Sequence, residues 1–335
     1  MRVHIEEAPM HNRRSILKFA AAGIAGLALP ARAFAAQSFP TKPIRIIIGL
    51  APGGSTDTNT RLLAQSLSES IGQAVIVENR PGGGSTIGAA AVAASPADGY
   101  TLFMATGSYS TSVVLNKALS FKPETAFRAV TQFCRFPQAI AVSVQSGIQS
   151  LEQLIAKAKA APGTIPFAST GYGGQTHFSG ALFQIITGAA LIHVPYKGGG
   201  PAVVDLVGGR VPVTFLDLPS LLPHVKTGGV RVLAVLGSRR SAIAPEIPTT
   251  LELGIKGLEI EGWYGLFAPA ATPANVVRVI NQQVAAICQR PEFVKRIAEN
   301  GAEVVASSSD QFAEFYRRDV ALYTSVAAKA NIRLD

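Results

Sequence analysis

Cysteine is scarce in this chain: Cys134 and Cys288 are the only two among 335 residues. Neither has a second cysteine or a histidine at metal-ligand spacing, which excludes a thiolate-built metal centre. Two buried thiols are the expectation, although export would permit a disulfide. Past the amino-terminal segment, no stretch reaches a membrane-spanning length without charges or prolines. Charged residues make up only 15% of the chain, and the basic ones are scattered without interleaved aromatics, which argues against nucleic acid as a partner. The glycine-rich turns lack both the Gly-Lys-Ser/Thr of a nucleotide loop and the G-x-G-x-x-G of a dinucleotide turn. With no G-x-S-x-G elbow and no Ser-x-x-Lys pair at a strand-to-helix turn, an exported hydrolase stays a remote alternative.

What is present begins with an export signal. Asn12-Arg13-Arg14-Ser15-Ile16-Leu17-Lys18 carries the paired arginines of a twin-arginine signal, and the apolar stretch Phe19 to Leu29 follows it. Ala33-Phe34-Ala35 offers small-x-small cleavage, so residues 1–35 read as a signal peptide and Ala36 as the mature start; Met10 is an alternative initiator. Removing five basic and two acidic side chains lowers the formal charge from +9 to +6, a surplus able to steer small anions. The expected location is the periplasm.

Behind the signal, short β-rich runs alternate with longer helical ones, the pattern of α/β sheets with crossover helices. Strand-like runs fall at 44–48, 74–78, 101–105, 139–144, 165–168, 192–195, 211–216 and 231–236. Helical patterns fall at 58–72, 87–94, 151–161, 176–187, 201–207, 273–289, 291–300 and 309–329. About 300 residues suffice for two lobes, since single cores rarely grow beyond ~250–300 residues. The chain is expected to leave the first lobe near Pro137 and return near Gly257–Gly265, because the tail reads as helices without strands of its own. This gives lobe 1 as 36–137 with 260–335 and lobe 2 as 138–259.

Two glycine loops stand out. Ala51-Pro52-Gly53-Gly54-Ser55-Thr56-Asp57 follows a β-branched run and opens a helical pattern with Leu63, Leu67 and Ile71 four residues apart. The unpaired N–H groups and dipole of a helix start favour an anion, Ser55 and Thr56 add hydroxyls, and glycine lets the main chain come close. A bulkier residue at Gly54 is expected to block that approach and to strain a φ only glycine tolerates. Ser169-Thr170-Gly171-Tyr172-Gly173-Gly174-Gln175-Thr176-His177 again follows a strand and opens a helix. In open α/β sheets ligands lie outside the carboxyl ends of strands, so the two loops can face each other across a cleft. Neither contains Arg or Lys, leaving oriented amides to supply the positive potential. His177 reads as a capping or packing residue.

In order along the chain, Ala51 to Asp57, Val77-Glu78-Asn79-Arg80-Pro81-Gly82, Ala97-Asp98-Gly99-Tyr100-Thr101-Leu102, the Gly171–His177 loop, His193-Val194-Pro195-Tyr196-Lys197-Gly198, Asp205-Leu206-Val207-Gly208-Gly209 and Trp263-Tyr264-Gly265-Leu266-Phe267-Ala268-Pro269 resemble the Bug-type solute receptors of tripartite tricarboxylate transporters. The resemblance covers essentially everything after the signal. It implies a two-lobed periplasmic binding protein of type II, a Venus-flytrap with a parallel-rich sheet in each lobe and two crossover segments. It implies a monomer without catalysis, metal or cofactor, which closes on a small carboxylate and passes it to a permease with one small and one large membrane subunit. A sensor-kinase receptor is the alternative role.

The resemblance also implies the contacts. A ligand carboxylate would be held by main-chain N–H groups and hydroxyls at Ala51, Gly53, Gly54, Ser55 and Asp57, and at Ser169, Thr170 and Gly171, with ordered waters. Lys197 is the nearest candidate cation, and Ser108 belongs to a third wall where Tyr109 is either a lining or a surface aromatic. Where the family carries an acidic residue directly after the position of Phe215, this chain has Leu216 and then Asp217. On a strand that shift turns the carboxylate to the other face unless a bulge intervenes, which would leave an ammonium group unpartnered.

Overall fold

The computed structural model describes residues 1–4 and 39–334, and the signal with its cleavage site lies outside the described residues. From Phe39 onward the chain forms one compact unit. Its strands are β1 (Ile44–Ile48), β2 (Val75–Asn79), β3 (Thr101–Thr106), β4 (Phe127–Ser143), β5 (Ile165–Ser169), β6 (Leu191–Pro195), β7 (Val213–Asp217), β8 (Val230–Leu236), β9 (Glu261–Pro269) and β10 (Glu303–Val304). Its helices are α1 (Ser55–Ile71), α2 (Thr86–Ala93), α3 (Gly107–Leu115), α4 (Pro123–Ala126), α5 (Leu151–Ala160), α6 (Gln175–Thr187), α7 (Gly199–Val207), α8 (Leu218–Lys226), α9 (Ala274–Cys288), α10 (Pro291–Glu299) and α11 (Ser309–Ala330).

The strands run β2-β1-β3-β9-β4-β7-β5-β6, with β8 and β10 also paired to β4. Each end of this sheet is a parallel set, β2-β1-β3 in one half and β6-β5-β7 in the other. Antiparallel strands join them. β9 pairs with β3, and the long β4 pairs with β9 over Phe127–Pro137 and with β7 and β8 from Gln138 onward. Pro137 stands where β4 changes neighbours, a place where a missing N–H interrupts the ladder least.

Each half therefore carries a sheet covered by helices on both faces, giving a two-lobed α/β molecule. One lobe buries Ile46, Leu63, Met104, Phe133 and Val284 on one face and Phe103, Trp263, Phe267 and Phe312 on the other. The second buries Ile140, Phe167, Phe183 and Phe215 on one face and Ala168, Leu206, Leu216 and Leu221 on the other. Helix α11 begins under a Ser308–Gln311 capping box, gives Phe312 to the first lobe and Tyr323 and Val326 to the second, and so clamps both. Cys134 and Cys288 are buried free thiols.

The tail does own strands: β9 and β10 correct the expectation that it has none. Both β9 and the first half of β4 are buried on two faces, so neither shows the alternation by which a strand is read. Helices α3 and α8 were likewise hidden, the first in a Ser/Thr-rich stretch and the second by Pro219 and Pro223.

Candidate functional site

Strands β1 and β3 are parallel, so the turns after them open on one edge of the sheet, and β9 returns along that edge with Tyr264 opposite Thr106. The first glycine loop enters α1 here. Among the described residues the amides of Ser55, Thr56 and Asp57 have no hydrogen-bond acceptor; the first helical bond is made by Thr58, to Gly54 O at 3.0 Å. Ser55 Oγ lies 2.7 Å from the hydroxyl of buried Tyr264. Ala51, Gly53, Gly54 and Ser55 are exposed.

Asp57 is different. It is 5% exposed, and its carboxylate accepts from Gly53 N–H (3.0 Å), Arg61 Nε (3.0 Å) and Asn79 Nδ2 (3.1 Å). Burial alone would raise its pKa, but these hydrogen bonds and the Arg61 charge hold the carboxyl below the usual range. The side chain is thus committed to the loop itself. The glycines also exchange roles relative to the sequence expectation. Gly54 has an ordinary extended backbone (φ −79°) and a Cβ there would enter open space, whereas the left-handed position is Gly53 (φ +87°).

The second loop is locked from within. Thr170 N–H donates to Thr176 Oγ1 at 2.9 Å, and Gly171 N–H to Ser169 Oγ at 3.2 Å. Ser169 is fully buried, and its Oγ donates to Gly171 O and sits 2.7 Å from His193 Nε2. His177 accepts from Gly173 N–H through Nδ1 at 3.1 Å and stacks on His193 with ring centroids 3.7 Å apart. Burial lowers His177 to about 4; burial and the neighbouring ring lower His193 to about 3. Two neutral imidazoles therefore brace the loop, in keeping with the packing role expected of His177. Free amides remain at Tyr172 and, one step on, at Gln175 and Thr176 in the first turn of α6.

Lys197 is exposed, and the residues flanking it are tied to the same loop, Tyr196 N–H to Ser169 O and Gly198 N–H to Thr170 O, both at 3.1 Å. Ser108 is half-buried in the first turn of α3. Tyr109 is neither a lining nor a surface aromatic: it is fully buried between Phe103 and Tyr316. Leu216 is 1% exposed, and no bulge interrupts the pairing of β7 with β4. A carboxylate still reaches the sheet edge, as Asp217 at the last position of β7. Gln138 Nε2 approaches it at 3.3 Å, with the amide fixed by Ser179 Oγ on the Gln138 oxygen. Burial pushes Asp217 up to about 6 against the Gln138 hydrogen bond, and its charge is felt by Tyr264.

Tyr264, Gln138, Gln175 and Ser179 are site residues to which the sequence assigned no role. Tyr264 and Gln175 sat inside recognised motifs, and Tyr264 needed only the β9 assignment. Gln138 and Ser179 carry no local signal. Among the described residues no cluster of His, Cys, Asp and Glu could hold a metal. A cavity of about 450 Å³ at the strand crossing, lined by Arg135, Glu261, Glu303, Arg318 and Asp319, includes no residue of either glycine loop. Its innermost guanidinium is already paired, Arg135 with Glu303 at 2.8 Å.

The chain matches the family model TctC, "Tripartite tricarboxylate transporter family receptor", over residues 60–332. It is 36% identical to protein BugT of Bordetella pertussis over 316 residues, 92% of this chain and 95% of that one. Among solved structures it is similar to R. palustris Rpa4515 with adipate, at 32% identity and a TM-score of 0.78 over 88% of this chain and 99% of that one. It is also similar to MatC from Rhodopseudomonas palustris with bound malate, at 26% identity and a TM-score of 0.74 over 86% and 99%.

Proposed function

From membership of the tripartite tricarboxylate transporter receptor family, to which this chain belongs, we propose that the protein is an exported receptor which captures a small carboxylate between its lobes and delivers it to a tripartite permease. The observation that carries this reading is the pair of helix starts, at Ser55–Asp57 and Gln175–Thr176, whose amides are free, in two glycine loops that contain no Lys or Arg of their own. Aligned N–H groups and two positive dipole ends suit an anionic oxygen. The adipate and malate bound by relatives support a carboxylate as that anion.

In this reading Ala51, Gly53, Gly54 and Ser55 contact the ligand from lobe 1. Thr170 and Gly171 contact it from lobe 2, with Ser108, Lys197 and Asp217 on the walls, while Asp57 and Ser169 hold the two loops in shape. Lobe 1 comprises 36–137 and 260–335, and lobe 2 comprises 138–259. The protein is a monomer, catalyses nothing and needs no metal or cofactor. Because Asp217 reaches the edge of β7, the ligand is not required to lack an ammonium group. Calorimetric titration of residues 36–335 with adipate, malate and other small carboxylates, with and without EDTA, tests the proposal. One-to-one binding unchanged by EDTA is expected; silence across the panel, or a need for divalent metal, would overturn it. Genes for the two permease subunits beside this one would favour delivery over signalling to a sensor kinase.

A further inference from the structure

Gly107 opens α3 in the first lobe and Gln175 opens α6 in the second, and these two residues touch. A Cβ placed on Gly107 would lie within 2.5 Å of all three terminal atoms of the Gln175 side chain, Nε2, Cδ and Oε1. A long side chain usually yields to such a collision by swinging away. This one is held: Gln175 is 6% exposed, and both hydrogens of its amide are used, one on Glu261 O at 3.0 Å and one on Tyr323 OH at 2.8 Å. Glu261 is the first residue of β9, where the chain returns from lobe 2 to lobe 1, and Tyr323 belongs to α11, which clamps both lobes. One buried amide thus joins a ligand loop, a crossing strand and the clamp helix, and it seats against the one residue type that leaves room for it.

We infer that Gly107 and Gln175 form the seat on which the cleft closes, with Gln175 the positioning residue that sets how near the helix starts of α3 and α6 approach. The inference rests on the proposed capture of a ligand between the lobes. Gly107 takes up helical backbone and has no left-handed φ to protect, so its lack of a side chain is not needed for the turn. Alanine is the better helix former by ~1 kcal/mol, and in an open position Gly107→Ala would be neutral or stabilising. On a seat it is a wedge that moves α6 away from the first lobe, and so separates the helix starts of α1 and α6 and weakens the grip on an anion lying between them.

The test uses spin labels on cysteines introduced at the exposed residues Glu69 in α1 and Lys159 in α5, the native thiols being buried. Double electron–electron resonance then reads the distance between lobes with no ligand present. Gly107→Ala is expected to lengthen or broaden that distance, to keep the melting temperature within about 2 °C of the wild-type value, and to weaken binding of adipate or malate, the probes used, at least tenfold. Gly107→Ala combined with Gln175→Ala removes the collision, so the double variant should return to within threefold of the affinity of Gln175→Ala alone. An unchanged distance distribution in Gly107→Ala, or losses from the two changes that simply add, would overturn the inference. Because the distance is read without ligand, a wild type that binds no carboxylate refutes the receptor proposal while leaving the seat to be judged on the distance alone.

Discussion

Replacing Asp57 by Asn separates a ligand contact from a loop anchor. The wild-type carboxylate, 7% exposed as a side chain, receives three donors: Gly53 N–H, Arg61 Nε and Asn79 Nδ2. An Asn carbonyl facing Gly53 keeps that bond and weakens the ion pair with Arg61, whose side chain is 50% exposed; exposed pairs of this kind contribute ~0–1 kcal/mol. The new amide then points at Asn79 Nδ2. Asn79 cannot turn to accommodate it, because its Nδ2 also donates to Leu50 O and its Oδ1 accepts from Arg61, at 3.1 and 2.9 Å. A donor forced against a donor in a buried site costs ~1–3 kcal/mol. The sum is about 1–4 kcal/mol, a fall in Tm of about 2–8 °C at ~2 °C per kcal/mol for a chain of this size. Differential scanning calorimetry of ligand-free protein measures it, and titration with carboxylate should show affinity falling roughly tenfold as the loop loses its shape. A side chain acting only as a ligand contact would lower affinity and leave the ligand-free Tm unchanged; that result would refute the anchor assignment.

Other expectations follow from single positions. Gly53→Ala places a side chain at φ +87° and should destabilise by ~1–2 kcal/mol, whereas Gly54→Val, at an ordinary φ with open space around it, should leave Tm unchanged and weaken carboxylate binding at least tenfold. Asp319, which accepts from Trp263 Nε1 at 3.1 Å, is pushed by burial up to about 7 against that hydrogen bond. The folded state therefore holds this proton more tightly than the unfolded chain at ~3.9, and stability falls as pH rises from about 4 to 7. Denaturant titrations of Asp319→Asn should accordingly show its stability relative to wild type rising across that window; a pH-independent difference would contradict the assignment. Changing Arg13 and Arg14 to Lys should leave uncleaved precursor in the cytoplasm on fractionation, and normal processing would remove the twin-arginine proposal.

The parallel strands and the glycine loops were legible because each has a local cause. β1 is a β-branched run, and α1 follows a Gly-Gly-Ser-Thr start with leucines four apart. β9 was not legible, since a strand buried on both faces alternates nothing, and without it Tyr264 could not be placed beside Ser55. The braces of the second loop depend on His193, sixteen residues past His177 in sequence yet stacked upon it. Only the parallel pairing of β5 with β6 brings them together. Gly107 and Gln175 belong to different lobes, and no spacing in the chain announces their contact. Leu216 packs in the core of the second lobe, and strand alternation could not say that β7 ends one residue later, with Asp217 at its last position.

The central claim is that main-chain amides at two helix starts hold the ligand. Backbone 1H–15N shifts of labelled residues 36–335, followed during titration with the carboxylate found by calorimetry, address it directly. The largest downfield proton shifts should fall on Ser55, Thr56 and Asp57 and on Gln175 and Thr176, as expected for N–H groups that gain a charged acceptor. Shifts concentrated instead on the residues of the strand-crossing cavity, such as Arg135, Glu261 and Arg318, with these five amides unmoved, would contradict it.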